Sequence, residues 1–288
     1  MTVAQEIRAA AEQLAATSDT ARLDAEVLMA HALGCGRSDL LLRHMGDLEP
    51  TEFADLVLRR ATHEPVAYIV GAQEFYGRHF AVAPGVLIPR GDSESLIDAA
   101  LAACPQPRRV LDCGVGSGAL LLTVLAERPG AEGIGIDVSP VAVEIAWQNA
   151  AALGLDARAT IRPADWTQYG WSDGLGQFDL ILANPPYVEA DAALAPSVQA
   201  FEPAGALFAG ADGLDDYRVL VPQLPGLLAP GGVALVEIGH MQAAAVSAIA
   251  AAAGLVTVLR HDLAGRPRVL EMRAAQESAW QSPSASAK

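Results

Sequence analysis

The segment Ala183-Asn184-Pro185-Pro186-Tyr187 carries the residue types best suited to chemistry in this chain. Proline has no N–H, so the two prolines stiffen the backbone and leave nearby carbonyl oxygens free to accept hydrogen bonds. The side-chain oxygen of Asn184 and the carbonyl oxygen of Pro185 can receive both hydrogens of a planar –NH₂ group, with Tyr187 against its face. Two aimed acceptors would polarise and orient an amide or aryl nitrogen, which is otherwise a weak nucleophile. The alternative interpretation of the motif is a rigid turn.

A second chemical feature is the glycine-rich segment 112–118, Asp-Cys-Gly-Val-Gly-Ser-Gly. Glycines there allow a tight turn and a close approach of the backbone to a ligand. Asp137 lies about 20 residues further on, where a carboxylate can accept the hydroxyls of a ribose. The loop and Asp137 together indicate a cofactor that contains adenosine, but they do not identify the cofactor. The loop alone also fits a nicotinamide site or a turn with no ligand, and Asp137 alone fits a helix N-cap, although Ser139-Pro140 suits that role better.

The elements that must position these residues follow from the alternation of apolar strands and helices after residue 108. Strands are predicted at 109–112, 133–138, 159–162, 178–183, 233–238, 256–260 and 268–272. The last two are too close in sequence for a parallel crossover, so they must be antiparallel. The pattern predicts an α/β fold with a doubly wound, mostly parallel sheet and an antiparallel edge. Ligands bind at the carboxyl ends of strands in such sheets, and both chemical segments follow strands.

The N-terminal quarter of the chain has a different pattern. Apolar residues recur at helical spacing, as at Val3, Ile7 and Leu14, and predict a small helical domain. The stretch from Tyr68 to Val82 is rich in β-forming residues and is predicted to be a connecting hairpin. The segment after Ala275 is rich in Ser, Ala and Gln and is predicted to fray.

Composition excludes some classes of function. The chain of 288 residues has 19 basic and 34 acidic residues, a net charge of −15, and no Lys/Arg-rich run. This argues against a protein that grips nucleic acid non-specifically. The spacing of the three cysteines fits no zinc site, and an odd number suits a reducing compartment. No metal site, secretory signal or membrane span is predicted, so a soluble cytoplasmic protein is expected.

Several segments, in order along residues 5–274, resemble the HemK/PrmC-type glutamine methyltransferases. The Asn-Pro-Pro-Tyr motif with a glycine loop is shared more widely, by amino-group methyltransferases acting on adenine, cytosine and glutamine. The segments that narrow the resemblance are 65–71, 74–77, 86–90, 202–207, 210–218, 237–239 and 262–266.

This resemblance implies a class I S-adenosylmethionine methyltransferase fold, which is Rossmann-like with a seven-stranded sheet. It implies methyl transfer from S-adenosylmethionine to the side-chain amide nitrogen, N5, of the glutamine in the Gly-Gly-Gln motif of class-I peptide chain release factors. The implied division is a helical substrate-recognition domain at 1–70, a hairpin linker at 71–90, a methyltransferase domain at 91–275 and a disordered tail at 276–288. The partners expected are release factors, with no direct contact to nucleic acid or membrane.

The resemblance also assigns site residues. Asn184, Pro185, Pro186 and Tyr187 are expected to hold the substrate amide, and Asp165 to lie near the adenine. The residues expected to line the cofactor site are Gly114, Val115, Gly116, Ser117, Gly118, Asp137, Asp165, Trp166 and Asn184.

The chain departs from the family pattern at two places. It reads Gly91-Asp92-Ser93-Glu94 where the family usually reads Pro-Glu-Thr-Glu, and it carries Cys113 and Val115 where Leu and Thr are usual. The first departure leaves the exact substrate open. The alternatives are a glutamine methyltransferase of a ribosomal protein, a DNA adenine methyltransferase, a NAD-dependent reductase and a non-enzymatic binding module of the same fold. The adenine enzyme would need a basic recognition region, and the reductase leaves the segment 184–187 unexplained.

Overall fold

A computed structural model describes residues 1–275, and the predicted frayed tail, 276–288, lies outside the described residues. The N-terminal part is helical, as predicted. Its helices are α1 (Val3–Leu14), α2 (Ala21–Ala32), α3 (Arg37–Asp39), α4 (Phe53–Ala61) and α5 (Val66–Val70), with a π-helical turn at Leu40–His44. Thr2 begins α1 with a capping box, in which its hydroxyl accepts from the N–H of Gln5 and the Gln5 side chain accepts from the N–H of Thr2.

This helical part has a core of its own, which includes Val3, Ile7 and Leu28. It also contains a buried ion pair, in which Arg60 Nε donates to Asp24 Oδ2 at 2.7 Å. The Ser18 and Thr20 hydroxyls donate to the same carboxylate. The Asp24 charge is therefore compensated by several hydrogen bonds, as a buried carboxylate requires.

The linker is an antiparallel hairpin of β1 (Ala72–Phe75) and β2 (Arg78–Ala81). Tyr76 and Gly77 form its turn, and both have positive φ, as the commonest two-residue hairpin turn requires. The hairpin prediction is wrong at its start, because residues 68–70 belong to α5. Pro65 precedes that helix and Gly71, at φ 75°, ends it. Burial of Ala67, Tyr68 and Ile69 outweighs the β propensity of this stretch.

The C-terminal part contains a seven-stranded sheet. Its strands are β3 (Arg109–Cys113), β4 (Glu132–Asp137), β5 (Ala159–Pro163), β6 (Phe178–Ala183), β7 (Leu228–Glu237), β8 (Leu255–His261) and β9 (Pro267–Ala274). Their order in the sheet is β5-β4-β3-β6-β7-β9-β8. The pairs from β5 to β7 are parallel, while β9 runs antiparallel to both β7 and β8, which confirms the predicted fold class.

Helices cover both faces of this sheet. They are α6 (Glu94–Ala103), α7 (Ala119–Glu127), α8 (Pro140–Ala152), α9 (Pro196–Phe201), α10 (Asp215–Leu220), α11 (Leu224–Leu227) and α12 (Ala243–Ala252), with 3-10 turns at Gly91–Ser93, Ala204–Ala206 and Val221–Gln223. Among residues 1–275, no helix is long and apolar enough to span a membrane.

The strand register aligns four strands at their carboxyl ends. Cys113 of β3 pairs with Ile136 of β4 and with Ala183 of β6, and Ala183 pairs with Val236 of β7. The next residue of each strand therefore lies at one height along this edge of the sheet. These residues are Gly114, Asp137, Asn184 and Glu237.

Helix α7 packs closely on β4 because two positions of that strand are glycine. A Cβ at Gly133 would lie 2.5 Å from Cδ1 of Leu121, which is fully buried on α7. A Cβ at Gly135 would lie 2.6 Å from Cγ2 of Val115 in the glycine loop. Both distances are below van der Waals contact, so any larger residue would push the helix or the loop away from the sheet.

We expect Gly133→Ala to lower the free energy of unfolding by about 1–3 kcal/mol, because the added methyl overpacks the buried contact with Leu121. Gly130→Ala is the matched control, since Gly130 is exposed and has no atom within 4 Å of its Cβ position. Urea unfolding of both variants measures the difference. Equal stability of the two variants would contradict the close packing of α7 on β4.

Candidate active site

A cavity of about 370 Å³ opens at the carboxyl edge of the sheet. It lies where β3 stands between β4 and β6 and the strand order reverses, which is the usual place for a ligand in such sheets. From the sheet, the glycine loop, the end of β4, residues 164–167 and Asn184 line the cavity. Residues 85–90 of the linker also line it, together with Pro203, Gly205 and Ala206.

The glycine loop reaches the cavity at positions 114–117. Gly114 has φ 84°, and a Cβ there would lie 3.3 Å from the Trp166 ring, so a side chain at this position would fill space beside the ring. Gly118 is not on the cavity wall. It begins α7 at φ 86°, and a Cβ there would lie 2.7 Å from Leu122.

Asp112 is not on the cavity wall but stabilises the helix that follows the glycine loop. Because Gly118 has no side chain with which to cap α7, the carboxylate of Asp112 accepts from the N–H of Leu121 in the first turn of the helix, at 3.2 Å. Asp112 is fully buried, and burial raises the pKa of its carboxyl to about 7 although this hydrogen bond lowers it. Sequence reasoning placed Asp112 at the end of a strand but missed its function as a cap.

Asp137 is on the cavity wall at the end of β4. Its Oδ2 accepts from the N–H of Gly116 at 2.9 Å, and its Oδ1 accepts from the N–H of Ser139 at 2.9 Å. Burial raises the pKa of Asp137, with these N–H donors acting against it. The cap of α8 is Ser139, whose hydroxyl accepts from the N–H of Ala142. Asp137 therefore fixes the glycine loop and faces the cavity.

Asp165 and Trp166 follow β5 in a turn beside the cavity. The Thr167 side chain donates to Asp165 at 2.7 Å and lowers the pKa of that carboxyl. The indole N–H of Trp166 donates to Asp216 of α10 at 3.3 Å. Asp216 also lines the cavity, and burial raises its pKa. Sequence reasoning missed Asp216, which lies 50 residues from its partner.

Of the four residues that follow β6, 184–187, two line the cavity and two do not. Asn184 and Pro186 are on the cavity wall, whereas Pro185 and Tyr187 are not. Tyr187 lies behind the wall, where its hydroxyl donates to Glu237 Oε1 at 3.4 Å and burial raises its pKa to about 12. The amide of Asn184 donates from Nδ2 to the hydroxyl oxygen of Ser93 at 3.4 Å. Its oxygen, Oδ1, is therefore turned away from Ser93.

Two lining segments that are distant in the sequence, residues 85–90 and 203–206, are joined by one carboxylate. Glu202, whose side chain is 1% exposed, forms an ion pair with Arg90 and accepts from the N–H of Ile88 at 3.2 Å. The hydroxyl of Tyr68 on α5 donates to the carbonyl oxygen of Val86 at 2.6 Å. The helical part, the linker and residues 201–206 are thus connected directly to the cavity wall.

The titratable side chains on the cavity wall, within residues 1–275, are Arg90, Asp137, Asp165 and Asp216. This part of the chain lines the cavity with hydrogen-bond acceptors and places no histidine, lysine or cysteine there. It also contains no cluster of three or more side chains suited to hold a metal ion. The arrangement is therefore suited to binding and orienting two reactants.

Comparison with known proteins gives the family. A model of the PrmC N-terminal domain matches residues 5–71, and a model of the methyltransferase small domain matches residues 92–208. The release factor glutamine methyltransferase of Cereibacter sphaeroides is 45% identical over 282 residues, which cover 95% of this chain and 99% of the relative. The enzyme of that name from Rhodospirillum rubrum is 44% identical, covering 88% and 78%. That from Caulobacter vibrioides is 40% identical, covering 88% and 89%. The chain therefore belongs to the family of release factor glutamine methyltransferases.

Proposed function

We propose that this protein transfers the methyl group of S-adenosylmethionine to N5 of the glutamine in the Gly-Gly-Gln motif of class-I peptide chain release factors. The observation that carries the proposal is the position of Asn184. It lies on the wall of the same cavity as Gly114 and Asp137, at the same height of the sheet. A carboxamide acceptor thus faces the space in which a cofactor would be held.

The residues present fit S-adenosylmethionine, which supplies a methyl group activated by a sulfonium sulfur. Gly114 leaves space beside the Trp166 ring that a Cβ would fill, and this suits a flat ligand group. Each carboxylate oxygen of Asp137 accepts one N–H bond and keeps capacity for a ribose hydroxyl. The residues proposed to hold the cofactor are Gly114, Val115, Gly116, Ser117, Asp137, Asp165, Trp166 and Asn184, while Gly118, which is off the cavity wall, is proposed to shape the loop at the start of α7.

The side-chain oxygen of Asn184, on the cavity wall, is proposed to accept one hydrogen of the substrate amide. The carbonyl oxygen of the next residue, Pro185, which does not line the cavity itself, is proposed to accept the other when the glutamine side chain enters. Both acceptors would draw electron density towards the nitrogen and stabilise the positive charge that develops there as its bond to the methyl carbon forms. The bond between that carbon and the sulfonium sulfur would break at the same time, with neutral S-adenosylhomocysteine as the leaving group. Pro186 keeps the segment rigid, and Tyr187 is held from behind by Glu237. One hydrogen of the nitrogen is then lost to solvent. Catalysis on this account comes from position and electrostatics, with no protein base required.

The substrate protein is proposed to be held by the helical residues 1–70 in addition to the cavity. Residues 71–90 then act as the linker and 91–275 as the methyltransferase domain. An isolated tripeptide makes few contacts and loses freedom on binding, whereas a second contact raises the effective concentration of the glutamine loop at the cavity.

We propose a cytoplasmic protein that makes no direct contact with nucleic acid or membrane, in keeping with its charge of −15.

The deciding experiment is mass spectrometry of a release factor after incubation with the protein and S-adenosylmethionine. We expect one methyl group on the glutamine of Gly-Gly-Gln, and little transfer to the free tripeptide. A Gln→Asn release factor is the control, because the shorter side chain places its nitrogen away from the acceptors. Transfer to a ribosomal protein or a duplex DNA in parallel reactions, with none to the release factor, would contradict the proposal.

Asp137→Ala should weaken S-adenosylmethionine binding about 10- to 100-fold, because a hydrogen bond to a charged group contributes about 1.5–3 kcal/mol. Calorimetric titration measures the dissociation constant. Asp156→Ala, at an exposed position outside the cavity, is the matched control and should bind as the wild type does. An unchanged affinity in Asp137→Ala, or binding of NAD by the wild type instead, would contradict the assignment of Asp137.

Asn184→Ala should lower turnover by about two to three orders of magnitude, the loss expected when one aimed acceptor of the transition state is removed. Cofactor affinity should fall much less than turnover, because Asn184 is only one of several residues proposed to hold the cofactor, and thermal unfolding should confirm that the variant is folded. Full activity of this variant would refute the proposed role of the motif.

A further inference from the structure

Ser93 lies on the cavity wall beside the proposed acceptor Asn184. It ends the 3-10 turn Gly91–Ser93, which precedes α6, and its side chain is buried. Its Oγ is 3.4 Å from Nδ2 of Asn184, although the two residues are 91 positions apart in the sequence. Ser93 is therefore placed to influence how the Asn184 amide is turned.

A buried carboxyl, that of Glu237, neighbours this pair. Glu237 lies level with Asn184 on the adjacent strand and is 1% exposed, and its Oε2 has no hydrogen-bond partner within residues 1–275. Burial raises the pKa of Glu237 to about 7, and the Ser93 side chain acts against this shift. Glu237 is therefore an acceptor available to the Ser93 hydroxyl.

The observed hydrogen bond determines the Asn184 orientation. A hydroxyl has one hydrogen and two acceptor lone pairs, so the Ser93 oxygen can accept from Asn184 and keep its hydrogen for another acceptor. Nδ2 of Asn184 donates to this oxygen, which places the –NH₂ group at Ser93 and turns the amide oxygen away from it. Without such a partner, the Asn184 side chain could rotate so that its oxygen and –NH₂ group exchange places, because the two ends of an amide are nearly equal in size.

The turn that carries Ser93 is itself fixed. Asp92 forms an ion pair with Arg268 at the start of β9, with 2.9 Å between Oδ2 and Nη2. The Ser95 hydroxyl donates to the carbonyl oxygen of Asp92 at 2.7 Å. Ser93 is thereby held at the edge of the sheet by contacts on both sides of it in the sequence.

We propose that Ser93 is a positioning residue for methyl transfer, which holds the Asn184 amide with its oxygen towards the substrate nitrogen. This inference rests on the proposed function, because it requires Asn184 to accept a hydrogen bond from the substrate amide. It also gives the residues Asp92 and Ser93, which depart from the family pattern, a defined part in the site.

The test compares steady-state methylation of a release factor by four variants of the full chain. Ser93→Ala and Ser93→Cys should lower kcat about tenfold, the effect of losing one oriented hydrogen bond, with KM and cofactor affinity unchanged. The cysteine variant keeps the packing while its thiol hydrogen-bonds weakly. Ser93→Thr, which keeps the hydroxyl, should restore most of kcat. Ser172→Ala is the matched control, because Ser172 is partly exposed and lies outside the cavity, and this variant should have the wild-type kcat.

A double-mutant cycle separates positioning from a structural role. If Ser93 acts through Asn184, Ser93→Ala should cost nothing further in an Asn184→Ala background, as measured by mass spectrometry in single-turnover reactions. An equal loss in both backgrounds, or an unchanged kcat in Ser93→Ala and Ser93→Cys, would overturn the proposal. Absence of methylation by the wild type would instead contradict the proposed function itself.

Discussion

The site depends on the register of four neighbouring strands. Main-chain hydrogen bonds align Cys113, Ile136, Ala183 and Val236, so that β3, β4, β6 and β7 reach the same edge together. The chemical groups that follow them are more than 120 positions apart at the extremes of the sequence, yet lie in one row. A shift of one residue in any strand would turn its side chains to the other face of the sheet. The backbone of the sheet therefore determines the geometry of the site before any side chain acts.

The carboxyls of Asp112, Asp137 and Glu237, which lie in this row or next to it, each accept a hydrogen bond from an uncharged donor. Asp112 accepts from the first turn of α7, where the helix dipole favours a negative charge. Asp137 accepts from the backbone N–H groups of the glycine loop and of Ser139. Burial raises the pKa of Asp112 and of Glu237 to about 7, so full ionisation of either carboxyl costs free energy. The loop and the acceptor segment are thus each held by a buried carboxyl behind them.

The sequence was sufficient to predict the features that depend on local pattern. The alternation of strands and helices predicted the sheet and its antiparallel edge, and the glycine spacing predicted the loop at residues 114–118. The contacts made by Ser93, Glu202 and Asp216 could not be predicted in this way, because each joins segments 50 or more positions apart. Residues 68–70 show the converse, since their β propensity is real but is outweighed by burial in α5. Local propensity fails where tertiary packing decides.

The carboxylate of Glu202 has a consequence for which substitutions this chain can tolerate. Because it binds both Arg90 and the N–H of Ile88, the linker and residues 201–206 share one buried charge. Removing Arg90 alone would leave that charge without its partner, which is costly in a buried position. A change at either position therefore requires a compensating change at the other. The two segments are coupled in this way although 112 positions separate Arg90 from Glu202 along the chain.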